Sequence, residues 1–384
     1  MRVRGRHVRN LSLQQPGVSS RTSLRFGFAY FVVAALSIAP LSAQDSLPVS
    51  ELDNGRAPVG ALTLGVGHNM DAGPTLSGSF KHGAFLGQSQ SIDLGFRLSE
   101  DEQAYDLMLR NDGVGDGNPQ FAFTLSHTET DLQSTLGLKT LKTVVKPSLV
   151  FALSDAQAEI GLVLGRDEVT DAATAPAVLR QDEGGRDLRG VFADYTMSRP
   201  SLLLGFSGQL MSSDNDLRYA KLEGQLRYAF DERRSGFAIE LQTTAGVIAV
   251  EQGQTTVNDR FFPASGALRG FEANGFGPSL GSVQVGGTRY VAVSLDARRT
   301  GLFDAMPEVS VGGFVDVGSV WGLDDNDSAD RSIVDASAKL RGALGLTVSR
   351  DFGGSRVELV LAHPFRHEEI DRLQEVQINF VSKF

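Results

Sequence analysis

The chain has 384 residues, including 43 glycines and no cysteine, and its formal net charge at pH 7 is −10. The absence of cysteine excludes a disulfide scaffold and a thiolate metal site. The excess of acidic residues argues against a nucleic-acid partner, because nothing offsets the repulsion from phosphate groups.

The first 43 residues predict a cleavable export signal. Arg21 and Arg25 precede an apolar run over residues 26–39, and small residues follow up to Ala43. A charged region, an apolar core of about 14 residues and a small residue at the cleavage site describe a secretory signal peptide. The run is shorter than the ~20 residues of a spanning helix, which makes a membrane anchor the weaker alternative. Residues 44–59 are then a short periplasmic N-terminal segment.

The remainder, residues 60–384, shows a repeated two-residue alternation of apolar and polar side chains. Successive side chains of a strand point to opposite faces, so each such segment has an apolar face and a polar face. In one segment Val293 and Leu295 alternate with Ser294 and Asp296. The longest alternation runs over residues 334–348. About 16 strands of this kind fit the chain, an even number typical of outer-membrane barrels.

A soluble β-sandwich also produces alternating strands, so the polar faces decide between the two folds. These faces are rich in charged residues, which need water that a sealed sandwich core does not supply. The sequence therefore predicts an all-β fold, a 16-stranded antiparallel transmembrane β-barrel with an inward-folded extracellular loop, over residues 60–384.

The candidate site lies in residues 266–318. Arg269 and Gly270 belong to a glycine-rich stretch between two strands, and by parity Asp296 and Asp316 fall on the lumen side of the next two strands. An arginine fork suits two carboxylates, and glycine allows the tight backbone bend that an inserted loop requires. We expect a loop latch made of Arg269, Gly270, Phe271, Asp296 and Asp316.

A second candidate region is the seam where the first strand, about Ala61–Asn69, meets the last strand, about Val376–Phe384. Gly65 and Gly67 have no side chains to pack, which weakens strand pairing. The last strand alternates up to a terminal phenylalanine, a pattern suited to recognition by strand addition. The predicted lateral seam consists of Gly65, Gly67, Phe380 and Phe384.

Four motifs resemble, in order, those of the outer-membrane assembly-factor barrels, the bacterial surface antigen superfamily of the BamA/TamA type. They are LRGF at 268–271, GFGP at 275–278, GGTRY at 286–290 and FVDVGSVW at 314–321, followed by the terminal phenylalanine. The resemblance is strongest over residues 266–384. Residues 60–250 agree only in strand number and in a weakly similar first hairpin.

The resemblance implies a 16-stranded barrel whose sixth extracellular loop turns inward. It also implies that Arg269 pairs with acids on the twelfth and thirteenth strands, here Asp296 and Asp316. Members of the family usually have a glutamate where Asp296 stands, and they normally carry periplasmic polypeptide-transport domains before the barrel. Residues 44–59 are too short for such a domain, so a function that needs one implies a periplasmic partner chain.

The resemblance implies an outer-membrane barrel that assists insertion or translocation of outer-membrane proteins by strand exchange at the lateral seam. The expected location is the outer membrane of a Gram-negative cell. The expected partners are outer-membrane lipid and lipopolysaccharide, unfolded outer-membrane or secreted proteins as clients, and a periplasmic partner chain, with no nucleic acid. Two alternatives stay open: a two-partner-type secretion pore, and a passive porin-like or structural barrel.

No catalytic or metal site is predicted, and we expect neither an enzyme nor a cofactor. The histidines are scattered, and Pro364 between His363 and His367 excludes a helical metal pair. Known nucleophile and phosphate-loop motifs are absent. An acidic extracellular loop is interpreted as a solvated tip, with divalent-cation bridging to lipopolysaccharide as the weaker alternative. It contains Asp324, Asp325, Asp327 and Asp330.

Overall fold

The computed structural model describes residues 60–69, 73–83, 90–111, 119–230, 237–263, 266–324, 333–352 and 355–383. The predicted export signal, the predicted periplasmic segment and Phe384 lie outside these residues. The described part contains sixteen long strands. They are β1 (Gly60–Asn69), β2 (Gly73–His82), β3 (Gln90–Leu98), β4 (Glu102–Asn111), β5 (Gln120–Asp131), β6 (Lys139–Ala152), β7 (Ala156–Thr170), β8 (Gly184–Arg199), β9 (Leu202–Ser213), β10 (Arg218–Ala229), β11 (Ala238–Gln252), β12 (Arg289–Thr300), β13 (Val309–Trp321), β14 (Arg341–Phe352), β15 (Ser355–Arg366) and β16 (Val376–Lys383).

The sixteen strands form a closed antiparallel barrel in which each strand pairs with its neighbours in the chain and β1 pairs with β16. The alternation in the sequence corresponds to the two faces of the wall. On β13, for example, Val315 is 45% exposed, whereas its neighbours Phe314 and Asp316 are buried. The exposed apolar side chains form the outer surface, as a lipid-facing wall requires. The prediction of a 16-stranded antiparallel barrel is confirmed.

An even number of strands places both ends of the barrel sequence at the same end of the cylinder. The connections of nine or more residues all lie at the opposite end, and they span residues 171–183, 253–288, 322–340 and 367–375. Outer-membrane barrels have short periplasmic turns and longer extracellular loops. The loop-bearing end is therefore the extracellular end, and the strand termini at Gly60 and Lys383 lie at the periplasmic end.

The extracellular loops pack together around an apolar cluster rather than extending separately into solvent. Leu136, Leu179, Val257 and Val285 come from three different loops, and all four are buried in this cluster. Two short ladders join further loop segments, Gly270–Phe271 with Leu373–Gln374 and Ser279–Leu280 with Val283–Gln284. Hydrophobic burial and backbone pairing together hold this cap of loops in one arrangement.

Helical structure in the described residues is limited to the loop between β7 and β8. It consists of a 3-10 turn at Ala172–Thr174 and one α-helical turn, α1, at Ala177–Arg180. Within the described ranges, no helix has the length and apolar character needed to cross a membrane.

The prediction of one long strand over residues 334–348 is wrong in its first half. Strand β14 begins at Arg341, and residues 336–340 have no strand partner. Asp335 instead forms an isolated bridge with Ser279 of the loop between β11 and β12, and Val334 packs against the apolar loop cluster. Two-residue alternation marks any extended segment, so it does not distinguish a barrel strand from an extended loop packed on the cap.

Candidate functional site

The long loop, residues 253–288 between β11 and β12, brings Arg269 to the lumen face of the barrel wall. Arg269 donates to both carboxylate oxygens of Asp316 on β13, from Nε at 2.8 Å and from Nη2 at 2.6 Å. It donates to Asp296 on β12 from Nη1 at 2.7 Å and from Nη2 at 3.1 Å. The guanidinium group therefore bridges two neighbouring strands through paired, charge-assisted hydrogen bonds.

The surroundings of Arg269 complete this arrangement. Its guanidinium carbon lies 3.7 Å from the ring centroid of Phe314, and Ser294 accepts a hydrogen bond from Nη2 at 2.8 Å. The Asp316 side chain is 1% exposed, and Arg269 is its counter-ion in this buried position. Burial lowers the pKa of Arg269, but the hydrogen bonds to Asp316 and Asp296 outweigh that effect and raise its pKa above the ordinary value.

Gly270 and Phe271 follow Arg269 in a backbone path that leaves little space. Gly270 has a φ of +93°, and an added Cβ would lie 3.1 to 3.3 Å from Pro364, Ala343 and Ala362 of the wall. Phe271 is 1% exposed and packs edge-on against Phe276, with 5.3 Å between the ring centroids. Glycine is required at residue 270 by both its backbone conformation and the close approach to the wall.

A second ionic cluster joins the long loop to another part of the wall. Arg186 on β8 donates to Asp167 on β7 at 2.7 and 2.8 Å and to Asp259 of the long loop at 2.8 Å. The three side chains are at most 5% exposed. Burial raises the pKa of Asp259, but the charge of Arg186 and the hydrogen bond from the Thr256 amide lower it by more. The pKa of Asp259 therefore lies below the ordinary value. We call these three residues the second anchor.

Two further buried ion pairs connect the loops to each other and to the wall. Arg260 of the long loop lies 3.3 Å from Asp182, which precedes β8 and also accepts from the Val257 amide at 2.9 Å. Arg341, at the start of β14, donates to both oxygens of Asp371 at 2.7 and 2.8 Å. The long loop is thus attached to β7, β8, β12 and β13 and to the loop before β8.

The second anchor was not predicted from the sequence. Asp259 lies 73 residues from Arg186 in the chain, and no local pattern connects them. One part was accessible from the sequence, because Asp167 and Arg186 lie directly opposite each other in one hairpin, on the polar face of both strands. A correct strand register for that hairpin would have predicted the pairing of Asp167 with Arg186. It would not have predicted the contact with Asp259.

The seam between β1 and β16 is shorter than the neighbouring strand pairings. Four residue pairs join the two strands, from Gly65 opposite Lys383 to His68 opposite Phe380. By comparison, ten pairs join β1 to β2 and seven join β15 to β16. Within the described residues, 60–64 of β1 and 376–379 of β16 have no partner across the seam.

Of the predicted seam residues, Gly65, Gly67 and Phe380 lie in this short pairing, and Phe384 lies outside the described residues. An added Cβ at Gly67 would be 3.1 Å from the carbonyl oxygen of Phe380, so glycine permits the close approach of the two strands. The structure thus brings the first and last strands together through a small number of hydrogen-bonded residues.

The acidic loop was predicted to be a solvated tip, and this prediction is wrong for Asp324. This side chain is half-buried and accepts hydrogen bonds from the Thr255 amide at 2.8 Å and from its hydroxyl at 2.6 Å. Asp325, Asp327 and Asp330 lie outside the described residues. Over the described part of the chain, no group of three or more His, Asp or Glu side chains is arranged to hold a metal ion.

The family follows from a comparison with known protein families. Residues 84–384 match the model of the Omp85 superfamily domain, and this match covers most of the chain and the whole latch region. The chain belongs to the Omp85 superfamily. The resemblance inferred from the four motifs is thereby confirmed. This Omp85 barrel is a protein of the outer membrane of Gram-negative bacteria.

Solved structures with a similar fold include BamA and CdiB. BamA from Haemophilus ducreyi lacking POTRA domains 1-3 has a TM-score of 0.71 at 16% identity, over 85% of this chain and 70% of that chain. CdiB from Escherichia coli has a TM-score of 0.54 at 11% identity, over 84% of this chain and 63% of that chain. At these identities the likeness concerns the fold. No curated protein sequence matches the chain.

Proposed function

We propose that this Omp85 barrel assists the insertion or translocation of outer-membrane proteins by strand exchange between β1 and β16. Membership of the superfamily and the BamA-like fold support the general assignment to outer-membrane assembly or translocation barrels. The observation that carries the mechanism is the register of the seam, in which four residue pairs close the cylinder.

An unpaired strand edge presents free N–H and C=O groups, which bind another extended segment by strand addition. In β1 the unpartnered stretch, residues 60–64, lies at the periplasmic end, where an unfolded client arrives. In β16 the unpartnered stretch, residues 376–379, lies at the extracellular end. A client strand that pairs first with β1 would displace the short β1–β16 pairing and enter the wall sideways, with lipid as its new surroundings.

The clients are unfolded outer-membrane or secreted proteins, and a periplasmic partner chain delivers them to the open edge. The latch supports this mechanism rather than a catalytic one. Arg269 attaches the long loop to β12 and β13, and β13 is three strands away from β16. This attachment keeps β12 and β13 in place while β16 moves at the seam. The ion pairs are structural, and the work of insertion comes from backbone pairing and burial of the client in lipid.

A reversible crosslink across the seam tests this function. The chain has no cysteine, so a H68C/F380C variant carries a single thiol pair, at residues directly opposite each other. The control, V66C/L76C, locks two outward residues of β1 and β2, which are already joined along their whole length. Both variants are reconstituted in liposomes, and the folding rate of an added unfolded barrel protein is followed by its gel shift.

We expect the reduced H68C/F380C protein and both forms of the control to accelerate folding, and the oxidised H68C/F380C protein to lose that acceleration. Equal acceleration by the locked protein would contradict strand exchange. The absence of acceleration in every form would favour a passive or secretion barrel.

A further inference from the structure

The outer face of the barrel carries two exposed arginines near its extracellular end. Arg189 lies on β8, and Arg218 begins β10. In the register of the sheet, Ser212 of β9 lies opposite Arg189 on one side and opposite Arg218 on the other. The next residues along, Met211 and Tyr219, are buried on the lumen side, so this row of three faces outward. We call it the arginine row.

The two arginines have no side-chain partner among the described residues, in contrast to Arg166 and Arg199 of the outer face. Arg166 pairs with Asp187 at 2.9 Å, and Arg199 pairs with Asp155 at 2.6 Å. Neighbouring strands are about 4.8 Å apart, so the Cα atoms of Arg189 and Arg218 are separated by roughly 10 Å. Side chains of this length can converge on one anionic group or bind two such groups of one molecule.

The arginine row borders the lipid-facing surface of the barrel. Two residues towards the periplasm from Arg189 is Val191, which is 47% exposed, and two residues from Ser212 is Leu210, which is 52% exposed. Leu222 continues this apolar surface below Arg218 at 46% exposure. Charged side chains at this height face the headgroups of the outer leaflet, while the leucines and the valine face acyl chains.

We propose that Arg189 and Arg218 form a binding site for the phosphate groups of lipid A, the anchor of lipopolysaccharide. Guanidinium groups bind phosphate through paired hydrogen bonds, and the outer leaflet of a Gram-negative outer membrane presents phosphorylated lipid A at this position. The chain carries a net charge of −10, so a local cationic row attracts an anionic headgroup more strongly than the average surface of the protein does. Acyl chains of the same molecule cover Val191, Leu210 and Leu222.

This site is independent of the proposed strand exchange. Strands β8 to β10 lie half the circumference of the barrel away from the β1–β16 seam. The bound lipid would hold the wall opposite the seam in the outer leaflet, and its removal leaves the pairing of β1 with β16 unchanged. The R189A/R218A variant is therefore expected to accelerate folding of a barrel substrate as well as the unmodified protein does.

Native mass spectrometry of the detergent-solubilised protein tests the site. The ligands are bisphosphorylated lipid A, lipid A with both phosphates removed, and phosphatidylglycerol as another anionic lipid. The R189A/R218A variant is compared with R199A, which removes an outward arginine from the periplasmic end of the same strand β8. The temperature of the folded-to-unfolded gel shift must agree among the three proteins, so that binding is measured on equally folded barrels.

We expect the unmodified protein and R199A to bind bisphosphorylated lipid A about tenfold or more tightly than R189A/R218A does, the effect of losing a charge-assisted hydrogen bond. We also expect dephosphorylated lipid A to bind all three proteins equally weakly. Unchanged lipid A binding by R189A/R218A would overturn the site. Equal binding of phosphatidylglycerol and lipid A to the unmodified protein would overturn the assignment to lipid A.

Discussion

Arg269 concentrates several interactions in one side chain. Its guanidinium group donates hydrogen bonds to the carboxylates of Asp296 and Asp316 and stacks on the ring of Phe314. The short side chain of Asp296 places both of its carboxylate oxygens within 3.1 Å of Arg269. Because Asp316 is almost fully buried, removal of Arg269 would leave its carboxylate without a counter-ion.

We expect Arg269→Ala to destabilise the barrel. Loss of one partner of a buried charge pair typically costs about 3–5 kcal/mol. The temperature of the gel shift between folded and unfolded forms measures this effect. Arg350→Ala is the control, because Arg350 pairs with Glu308 while its side chain is 53% exposed, and we expect no shift for it. A gel shift of Arg269→Ala equal to that of the unmodified protein would refute the latch.

Asp259 of the second anchor gives a prediction that depends on pH. Its pKa in the folded protein lies below the ordinary value of 3.8. Its stabilising effect is therefore complete above about pH 4 and disappears as the pH falls through the lower folded pKa. Asp259→Asn removes the charge at every pH, while Arg186 keeps Asp167 as a partner.

We expect Asp259→Asn to lower the free energy of unfolding by about 1.5–3 kcal/mol between pH 5 and pH 8, the value of a hydrogen bond to a charged group. The difference from the unmodified protein should shrink below about pH 4, where Asp259 becomes protonated in the unfolded chain. Denaturant titrations in detergent at pH 3, 5 and 8 measure both effects. A difference that stays constant down to pH 3 would assign the loss to packing instead of charge.

At the scale of secondary structure, the seam is the point where the barrel depends on few residues. The pairing of β1 with β16 begins halfway along β1, at Gly65, and ends at His68. Gly67 lets β16 approach closely, since any side chain there meets the Phe380 carbonyl at 3.1 Å. The seam therefore has the fewest paired residues of any strand pairing in the described barrel, and glycine at residue 67 permits the two strands to approach there.

We expect Gly67→Ala to loosen the seam without affecting other strand pairs. The added methyl group pushes against the backbone of β16 at Phe380, whereas Gly95→Ala on β3 meets its nearest atom at an ordinary 3.8 Å. Hydrogen–deuterium exchange should show faster exchange of the β1 and β16 amides in Gly67→Ala and no change in Gly95→Ala. Equal exchange in the two variants would mean that the close approach at Gly67 has no effect on the seam.

At the scale of the whole molecule, the long loop holds the wall together from inside. Its Asp259 bonds Arg186 on β8, and its Arg269 bonds acids on β12 and β13. Its apolar residues join the cap formed by the other extracellular loops. Two anchors on different parts of the wall restrict the loop more than one does, because release of either leaves the other in place.

Release of both anchors is expected to open the lumen. In planar bilayers we expect small fluctuating currents from the unmodified protein and from Arg269→Ala or Asp259→Asn alone. The double variant should give larger, steady currents, because the loop is then released from both anchors and held by Arg260 with Asp182 and by the apolar cap. Large steady currents from the unmodified protein would instead indicate a passive pore.

The sequence alone predicted the barrel because the information is local. Two-residue alternation records the lipid-facing and lumen-facing sides of each strand, and the even strand number follows from counting segments. The motifs around Arg269, Asp296 and Asp316 were recognisable because each is a short run of adjacent residues. The prediction that Asp296 and Asp316 both face the lumen required only the alternation of side chains within each of the two strands.

The tertiary structure decided what depends on the meeting of distant segments. The second anchor joins Asp167 and Arg186 of the wall to Asp259 of the long loop, whose path the sequence does not specify. Residues 334–340 are extended but are not part of the barrel wall. Val334 packs against the apolar loop cluster, and Asp335 forms a backbone bridge with Ser279. The length of the seam likewise depends on how the first strand meets the last after the circle closes. Periodicity defines faces, whereas loop packing and barrel closure are set by contacts among residues far apart in the chain.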